Sequence, residues 1–253
     1  MIVTPRQNIL LSLLQPHLEI PVQDLAQKLK TSESTIRRDL VQLSEMGHVR
    51  RTHGGALLRS ESLQESSFQE KLAASVAEKK QIAQAVAQDI PASSTLFIDS
   101  GSTCLEAARQ VLQRGDCRIF TNSLPILVES CRSNSTVIAL GGEVRGISKA
   151  LVGSGTLSGL NTLRVDIALI GTSGLHEKEG AFTTEAMEAH VKTQAIQRAG
   201  QAWLLADHSK WGNAAALRFA EWSDFQRWYV DANTHIAFPA DCNFPELRIP
   251  TLS

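Results

Sequence analysis

Arg37 and Arg38 stand beside Ser32, Ser34 and Thr35 on one predicted helix, near the start of a chain that is otherwise close to neutral. Guanidiniums donate to phosphates and base edges, and short hydroxyls do so without bulk. The grouping therefore suits a helix laid in the major groove of duplex DNA. Just downstream, Gly47-His48-Val49-Arg50-Arg51-Thr52-His53-Gly54-Gly55 reads as a basic hairpin that would lie against phosphates. The candidate DNA contacts are Ser34, Thr35, Arg37, Arg38 and Gln42 on the helix, with Arg50, Arg51 and His53 on the hairpin. An arginine pair alone is also a common solvated helix surface. The short helices before it and the Gly-Gly hairpin after it favour DNA.

A second set of chemistry-bearing residues sits where short apolar runs end. The run at 95–98 passes into Asp99-Ser100-Gly101-Ser102-Thr103 and then a helix through about Arg114. Glycine lets the backbone curl, hydroxyls donate, and amides at a helix start attract an anion, so phosphate is the natural guest. A plain cap before a helix would look similar. Further run ends are Thr121-Asn122, Gly141-Gly142, Gly171-Thr172-Ser173-Gly174 and Asp207-His208-Ser209-Lys210. Lys210 can place a point charge near a phosphate or sugar oxygen. Asp99 and Asp207 are either acceptors for ligand hydroxyls or turn caps. Glu185 and Lys192 lie on a helix after Gly180-Ala181-Phe182, where surface Glu and Lys are ordinary. His176, His190 and His208 lack metal-ligand spacing, so no metal and no cofactor is expected.

The elements that must position these residues follow from periodicity. Residues 6–15 place Ile9, Leu10, Leu13 and Leu14 on one helical face, and a second helix runs from about Val22 to Leu29. Lys30-Thr31 forms a turn and Ser32 caps a third helix, whose core side is Ile36, Leu40 and Leu43. Three small helices and a hairpin make a winged helix-turn-helix, an α+β unit over residues 1–58. Residues 59–75, polar and serine-rich, read as a linker with a helical start.

From about residue 79 helices alternate with apolar strands at Leu96-Phe97-Ile98, Arg118-Ile119-Phe120 and Val137–Leu140, then at Ile167–Ile170 and Ala202–Leu205. Continuous apolar runs between helices imply a largely parallel sheet covered on both faces, hence an α/β domain over 76–253.

Charge and composition agree with this division. Residues 1–59 carry eight Lys/Arg against five Asp/Glu, and the remainder seventeen against twenty-one. The front is mildly cationic, as DNA contact requires. The 43% hydrophobic content is enough for packed cores. No apolar run approaches the roughly 20 residues that span a bilayer, and Pro5, Arg6, Gln7 and Asn8 interrupt any signal-peptide core. Cys104, Cys117, Cys131 and Cys242 form no CxxC pair, so they are expected as thiols of a reducing cytoplasm.

Taken together, these motifs resemble the DeoR family of bacterial transcription regulators over nearly the whole chain. The front match is Ser34-Thr35-Ile36-Arg37-Arg38-Asp39-Leu40, then Leu43, Gly47 and Arg51-Thr52-His53-Gly54-Gly55-Ala56. The rear match runs through Glu78-Lys79, Asp99–Thr103, Thr121-Asn122, Gly141-Gly142, Val152-Gly153 and Asp166. It ends with Gly171–Gly174, Gly180, Glu185 and Asp207–Lys210.

The resemblance implies a sensor domain similar to ribose-5-phosphate isomerase, binding a phosphorylated sugar or related metabolite. It further implies double-stranded operator DNA as partner, repression of carbohydrate catabolism genes, and a homo-oligomer, dimer or tetramer. Carried over by position, Asp99, Ser100, Gly101, Ser102, Thr103, Gly171, Glu185 and Lys210 are the expected effector contacts.

Two alternatives stay open: a sugar-phosphate isomerase, and a constitutive DNA binder whose second domain only oligomerises. Against the first, the isomerase pattern Asp-Gly-Ala-Asp is matched here by Ile170-Gly171-Thr172-Ser173, without either carboxylate. The last segment keeps Tyr229-Val230-Asp231-Ala232 but departs from the family around Phe238-Pro239.

Overall fold

The computed structural model describes residues 4–14, 20–45, 49–51, 55–58, 65–213, 215–234 and 244–250. The chain divides into two compact units, residues 1–64 and 65–253.

The first unit runs α1 (Pro5–Leu13), β1 (Ile20–Pro21), α2 (Val22–Lys28), α3 (Glu33–Glu45), β2 (Val49–Arg51) and β3 (Gly55–Leu58). Thr4 and Gln7 cap α1 reciprocally, each side chain accepting from the other's amide, with Pro5 in the first turn. Lys30 turns the chain at φ 49°. Ser32 Oγ then accepts from the Thr35 amide at 3.3 Å, the cap expected for α3. Ile36, Leu40 and Leu43 are buried against Leu10, Leu14 and Leu25. Ile9, expected on that core face, is instead 53% exposed. Successive helical residues stand about 100° apart, so Leu10 at the centre of the core turns its predecessor outward.

The hairpin β2–β3 is antiparallel, and β1 adds a third strand that periodicity had not shown, because two residues carry no pattern. Gly55 makes that pairing possible. A Cβ there would lie 2.3 Å from the Ile20 carbonyl oxygen.

The second unit opens with α4 (Phe68–Ala73), α5 (Val76–Asp89), β4 (Thr95–Ile98), α6 (Ser102–Arg114), β5 (Arg118–Thr121), α7 (Leu124–Ser130) and β6 (Thr136–Ala139). It continues with β7 (Glu143–Arg145), β8 (Ala150–Val152), α8 (Ser154–Asn161), β9 (Val165–Gly171), β10 (Gly174–His176) and β11 (Gly180–Thr183). Then come α9 (Ala186–Gln197), β12 (Ala199–Leu205), β13 (Leu217–Ala220), β14 (Arg227–Tyr229) and β15 (Glu246–Arg248). The Phe238-Pro239 region lies outside the described residues.

Seven strands form one sheet in the order β15-β14-β12-β9-β4-β5-β6, and every pairing in it is parallel. The five expected strands all lie in it.

Alternate residues of the central strands feed two separate cores. Leu96, Ile98, Leu169 and Trp203 meet Ile82, Val86, Leu105 and Val111 of α5 and α6. Phe97, Ala168, Ile170 and Leu204 meet Leu160 of α8 and Val191 and Ala195 of α9. That two-sided demand is why these strands read as unbroken apolar runs.

The stretch 59–75, expected as linker, differs from Glu65 onward. Ser67 caps α4 with Glu70 in a reciprocal box, and Phe68 is 4% exposed within the core shared with α5 and α6. One buried aromatic in a polar run was enough to dock it.

Phe68→Ala should therefore lower the unfolding free energy of the second unit by about 3–5 kcal/mol. Urea unfolding of the full chain reads this as a lower midpoint; an unchanged midpoint would mean that 65–75 is free of the core.

Candidate functional site

On α3 the expected DNA-reading residues face outward. Ser34, Arg37, Arg38 and Gln42 are exposed and Thr35 is half-buried, while the intervening Asp39 points inward at 4% exposure. Asp39 accepts both Nε and a terminal nitrogen of Arg6 at 2.7 and 3.0 Å, which binds α1 to α3. Gln7 links Asp39 to Gln42, donating to Gln42 Oε1 at 2.7 Å, so the Gln42 amide nitrogen is the atom left to read with. Arg37 pairs with Glu33 at 3.1 Å on an exposed surface, a bond worth little that a phosphate can displace. Arg38 has no hydrogen-bond partner among the described residues. Arg50 and Arg51 lie on β2. The contacts expected of those two side chains and of His53 lie outside the described residues.

In the second unit the chain moves from β4 through β5 and β6 to one sheet edge, and from β9 through β12, β14 and β15 to the other. A reversal of this kind splays the loops beyond the strand ends and leaves a crevice there. The crevice is present, an open cleft whose walls include Ser100–Thr103 after β4, Gly171–Ser173 after β9, and Lys210.

Gly101 precedes α6 without any side-chain cap, so the first-turn amides of α6 keep their affinity for an anion. Ser102 Oγ donates to the Lys71 carbonyl at 3.1 Å. The buried hydroxyls of Ser100, Ser148 and Thr183, all on the cleft wall, have no hydrogen-bond partner among the described residues. Unpaired buried hydroxyls are costly, and a polar guest would satisfy them.

Lys210 ends a 3-10 turn, His208–Lys210, fixed from both sides. Asp207 Oδ1 accepts from the Ser209 amide at 3.1 Å, and Asp231 accepts from the His208 amide and lies 2.8 Å from its Nδ1. Among the described residues the Lys210 ammonium has no hydrogen-bond partner.

Beneath the cleft, Asp99 is 1% exposed. Its Oδ2 accepts from the Gly171 amide at 3.1 Å and from Lys192 Nζ, which also donates to the Gly171 carbonyl at 3.0 Å. Desolvation pulls the Lys192 pKa down, but the charges of Asp99 and Glu188 outweigh it, and the net shift is upward. Burial, with Asp99 adding to it, pushes the neighbouring Cys104 thiol up, so it stays neutral.

Six of the eight expected effector residues thus meet in one cleft: Ser100, Gly101, Ser102, Thr103, Gly171 and Lys210. Asp99 and Glu185 do not line it. Glu185 instead caps α9, accepting from the Glu188 amide at 2.9 Å. Glu188 takes the wall position, 3.1 Å from Arg145. The spacing Glu185-Ala186-Met187-Glu188 was the available signal, since a first-turn acid three residues after a cap is a common helix start. Lys192, whose helical setting predicts an ordinary surface lysine, is instead 4% exposed. Phe68 and Lys71 were hidden inside the supposed linker. No signal in a single sequence marks them.

Among the described residues no helix is long and apolar enough to cross a membrane. Nor does any group of three or more His, Cys, Asp or Glu there form a metal cluster.

Residues 6–62 match the family model of the DeoR-like helix-turn-helix domain, and residues 74–232 match that of the DeoR C terminal sensor domain. The chain belongs to the DeoR family. It is accordingly a DNA-binding transcriptional regulator, not an enzyme.

Similar curated proteins include the glycerol-3-phosphate regulon repressor of Escherichia coli (strain K12), 32% identical over 90% of this chain and 91% of that one. The HTH-type transcriptional repressor GlcR of Bacillus subtilis (strain 168) is 32% identical over 90% and 88%. Among solved structures, ribose 5-phosphate isomerase A from Methanocaldococcus jannaschii overlaps 53% of this chain and 54% of its own at 15% identity, with a TM-score of 0.40.

In this DeoR-family chain the buried Asp99 and Lys192 charges should depend on each other, so that losing one partner costs far more than replacing both. Lys192→Met strands a desolvated carboxylate and is expected to cost about 3–5 kcal/mol, with much of the loss recovered in Asp99→Asn/Lys192→Met. Equal losses in the single and double variants, measured by urea unfolding, would remove the pair from that role. Because the folded pKa of Lys192 lies above its unfolded value, the contribution is complete at neutral pH. It is lost only as pH rises past about 10 toward the folded value.

Proposed function

We propose that this regulator represses genes of carbohydrate catabolism, and that a phosphorylated sugar or related metabolite bound in the cleft controls its hold on operator DNA. The observation that carries the reading is a Lys210 and three buried hydroxyls, all without a partner among the described residues, in the same cleft as the uncapped start of α6. A phosphate accepts from the lysine and the amides, and a polyol exchanges hydrogen bonds with Ser100, Ser148 and Thr183. The names of the relatives point the same way, since one is a repressor of a glycerol-3-phosphate regulon.

On the DNA side, α3 enters the major groove. Arg38 and the Gln42 amide nitrogen reach base edges, Arg37 leaves Glu33 for a phosphate, and the helix start presents Ser34 and Thr35. Arg50, Arg51 and His53 contact the flanking backbone. A homo-oligomer, dimer or tetramer, would bring two such helices to paired half-sites. Binding of this kind weakens steeply with salt through counterion release. By linkage, the metabolite moves DNA affinity only as far as it prefers one arrangement of the protein, typically about 1–3 kcal/mol.

The direct test selects DNA fragments on the full-length protein, then challenges the complexes with a panel of sugar phosphates at fixed salt. Loss of complex with at least one member supports the reading. No release, together with no thermal stabilisation by any member, would leave a constitutive binder.

Two variants assign the residues. Arg37→Ala/Arg38→Ala should keep its melting temperature and lose operator affinity by at least about tenfold per arginine; retained specific binding would exclude α3 as the reading helix. Ser102→Asp should stay folded and lose the metabolite response, because it sets a carboxylate against the incoming anion. An unchanged response would take the α6 start out of the site.

A further inference from the structure

We propose that segment 65–75, with α4 at its centre, is a clasp that effector binding opens, and that this passes occupancy of the cleft to the helix-turn-helix unit preceding it in the chain. The inference rests on the phosphate reading of the cleft given above and adds how that site is regulated.

The segment begins the second unit, directly after residues 1–64. It also forms part of the cleft wall, through Phe68 and Lys71. A ligand in the cleft therefore meets the stretch of chain that leads back to the DNA-binding unit.

The contacts that hold this segment fall into two groups. One group is indifferent to a ligand. The Phe68 amide donates to the Ile147 carbonyl at 2.8 Å, the Phe68 ring is buried, and Lys79 donates to the carbonyls of Lys71 and Ala74. The other group uses atoms that an anion would also want. Ser102 Oγ–H donates to the Lys71 carbonyl at 3.1 Å, and the Lys71 ammonium lies 3.3 Å from Glu65 Oε1.

A serine hydroxyl has one proton, so it serves the Lys71 carbonyl or a phosphate oxygen, not both. The Lys71 ammonium has three protons and can meet a ligand without releasing Glu65, but the ligand's negative charge competes with Glu65 for its position. Occupancy thus removes the Ser102 bond from the near side of α4, pulls on the Lys71–Glu65 pair, and leaves the bonds of Lys79 beside Ser75, the left-handed residue (φ 48°) between α4 and α5.

Glu65 is wired to the cleft by a second route. Arg145 pairs with Glu65 and, at 3.1 Å, with Glu188 on the cleft wall. Glu65 is desolvated, which raises its pKa, but Arg145 and Lys71 outweigh that and hold it ionised. Arg145 and Lys71 are positioning residues for the clasp. Because the bonds exist only in the closed arrangement, the ligand has the differential affinity that any switch requires.

Closure also lowers apparent ligand affinity, since binding must first break it. Weakening the clasp should therefore tighten binding, which a merely structural role of Glu65 does not predict.

The experiment uses full-length protein, inorganic phosphate as the anion, and Glu65→Gln, a residue outside the cleft wall. Calorimetry should show phosphate bound about fivefold or more tightly by the variant than by the wild type. Hydrogen exchange over 65–75 should speed up in the wild type when phosphate is added, and should already be fast in the variant without it. Phosphate bound equally by both proteins, with no change of exchange over 65–75, would overturn the clasp while leaving the cleft as the phosphate site. No phosphate binding by either protein would overturn both.

Discussion

The buried pair of Asp99 and Lys192 is the interaction on which the second unit turns. Asp99 follows β4, Lys192 belongs to α9, and both bond the backbone of Gly171 at the end of β9. Those two strands are the neighbours between which strand succession reverses. A carboxylate and an ammonium, each almost wholly desolvated, hold each other because neither tolerates solitary burial. Their bond closes the floor of the crevice that the topology opens. Asp99 is thereby committed to the floor, and the charges left to meet a guest sit higher, on Lys210, Lys71 and the start of α6.

The division of labour among cations explains the chemistry of the cleft. Lys192 is spent on Asp99, Lys71 is shared with Glu65, and Lys210 has no partner among the described residues. The three therefore differ in availability to a guest. The carboxylate on the wall, Glu188, is held by Arg145 instead of facing a reacting carbon, and Gly171-Thr172-Ser173 closes the end of β9 with hydroxyls where proton transfer would need carboxylates.

The helix-turn-helix unit applies the same economy to one motif. In Arg37-Arg38-Asp39 the arginines face solvent and the aspartate faces Arg6 and Gln7. The helical period separates the residues proposed to read DNA from the residue that fixes α3 against α1. Gln42 joins both tasks, with one end of its amide bound to Gln7.

Much of this was legible in the order of residues. The parallel strands show as apolar runs because both their faces are buried, the caps show as Ser or Thr before a helix, and the loop proposed to hold phosphate shows as Gly and hydroxyls after a strand. Each is a local rule acting over a few neighbours. Where one side chain has two local options, or where burial comes from distant chain, sequence does not decide. Glu185 took the cap and yielded the wall to Glu188. Lys192 reads as a surface lysine until Asp99, far away in the chain, is brought beneath it. Lys71 gains its place only because Phe68 finds a gap between α5 and α6. The sequence alone set the elements, their order and the chemistry at the strand ends. Tertiary packing alone settled which charges are neutralised and which stay available, because the energy of a charge depends on what surrounds it in space, not on its neighbours along the chain.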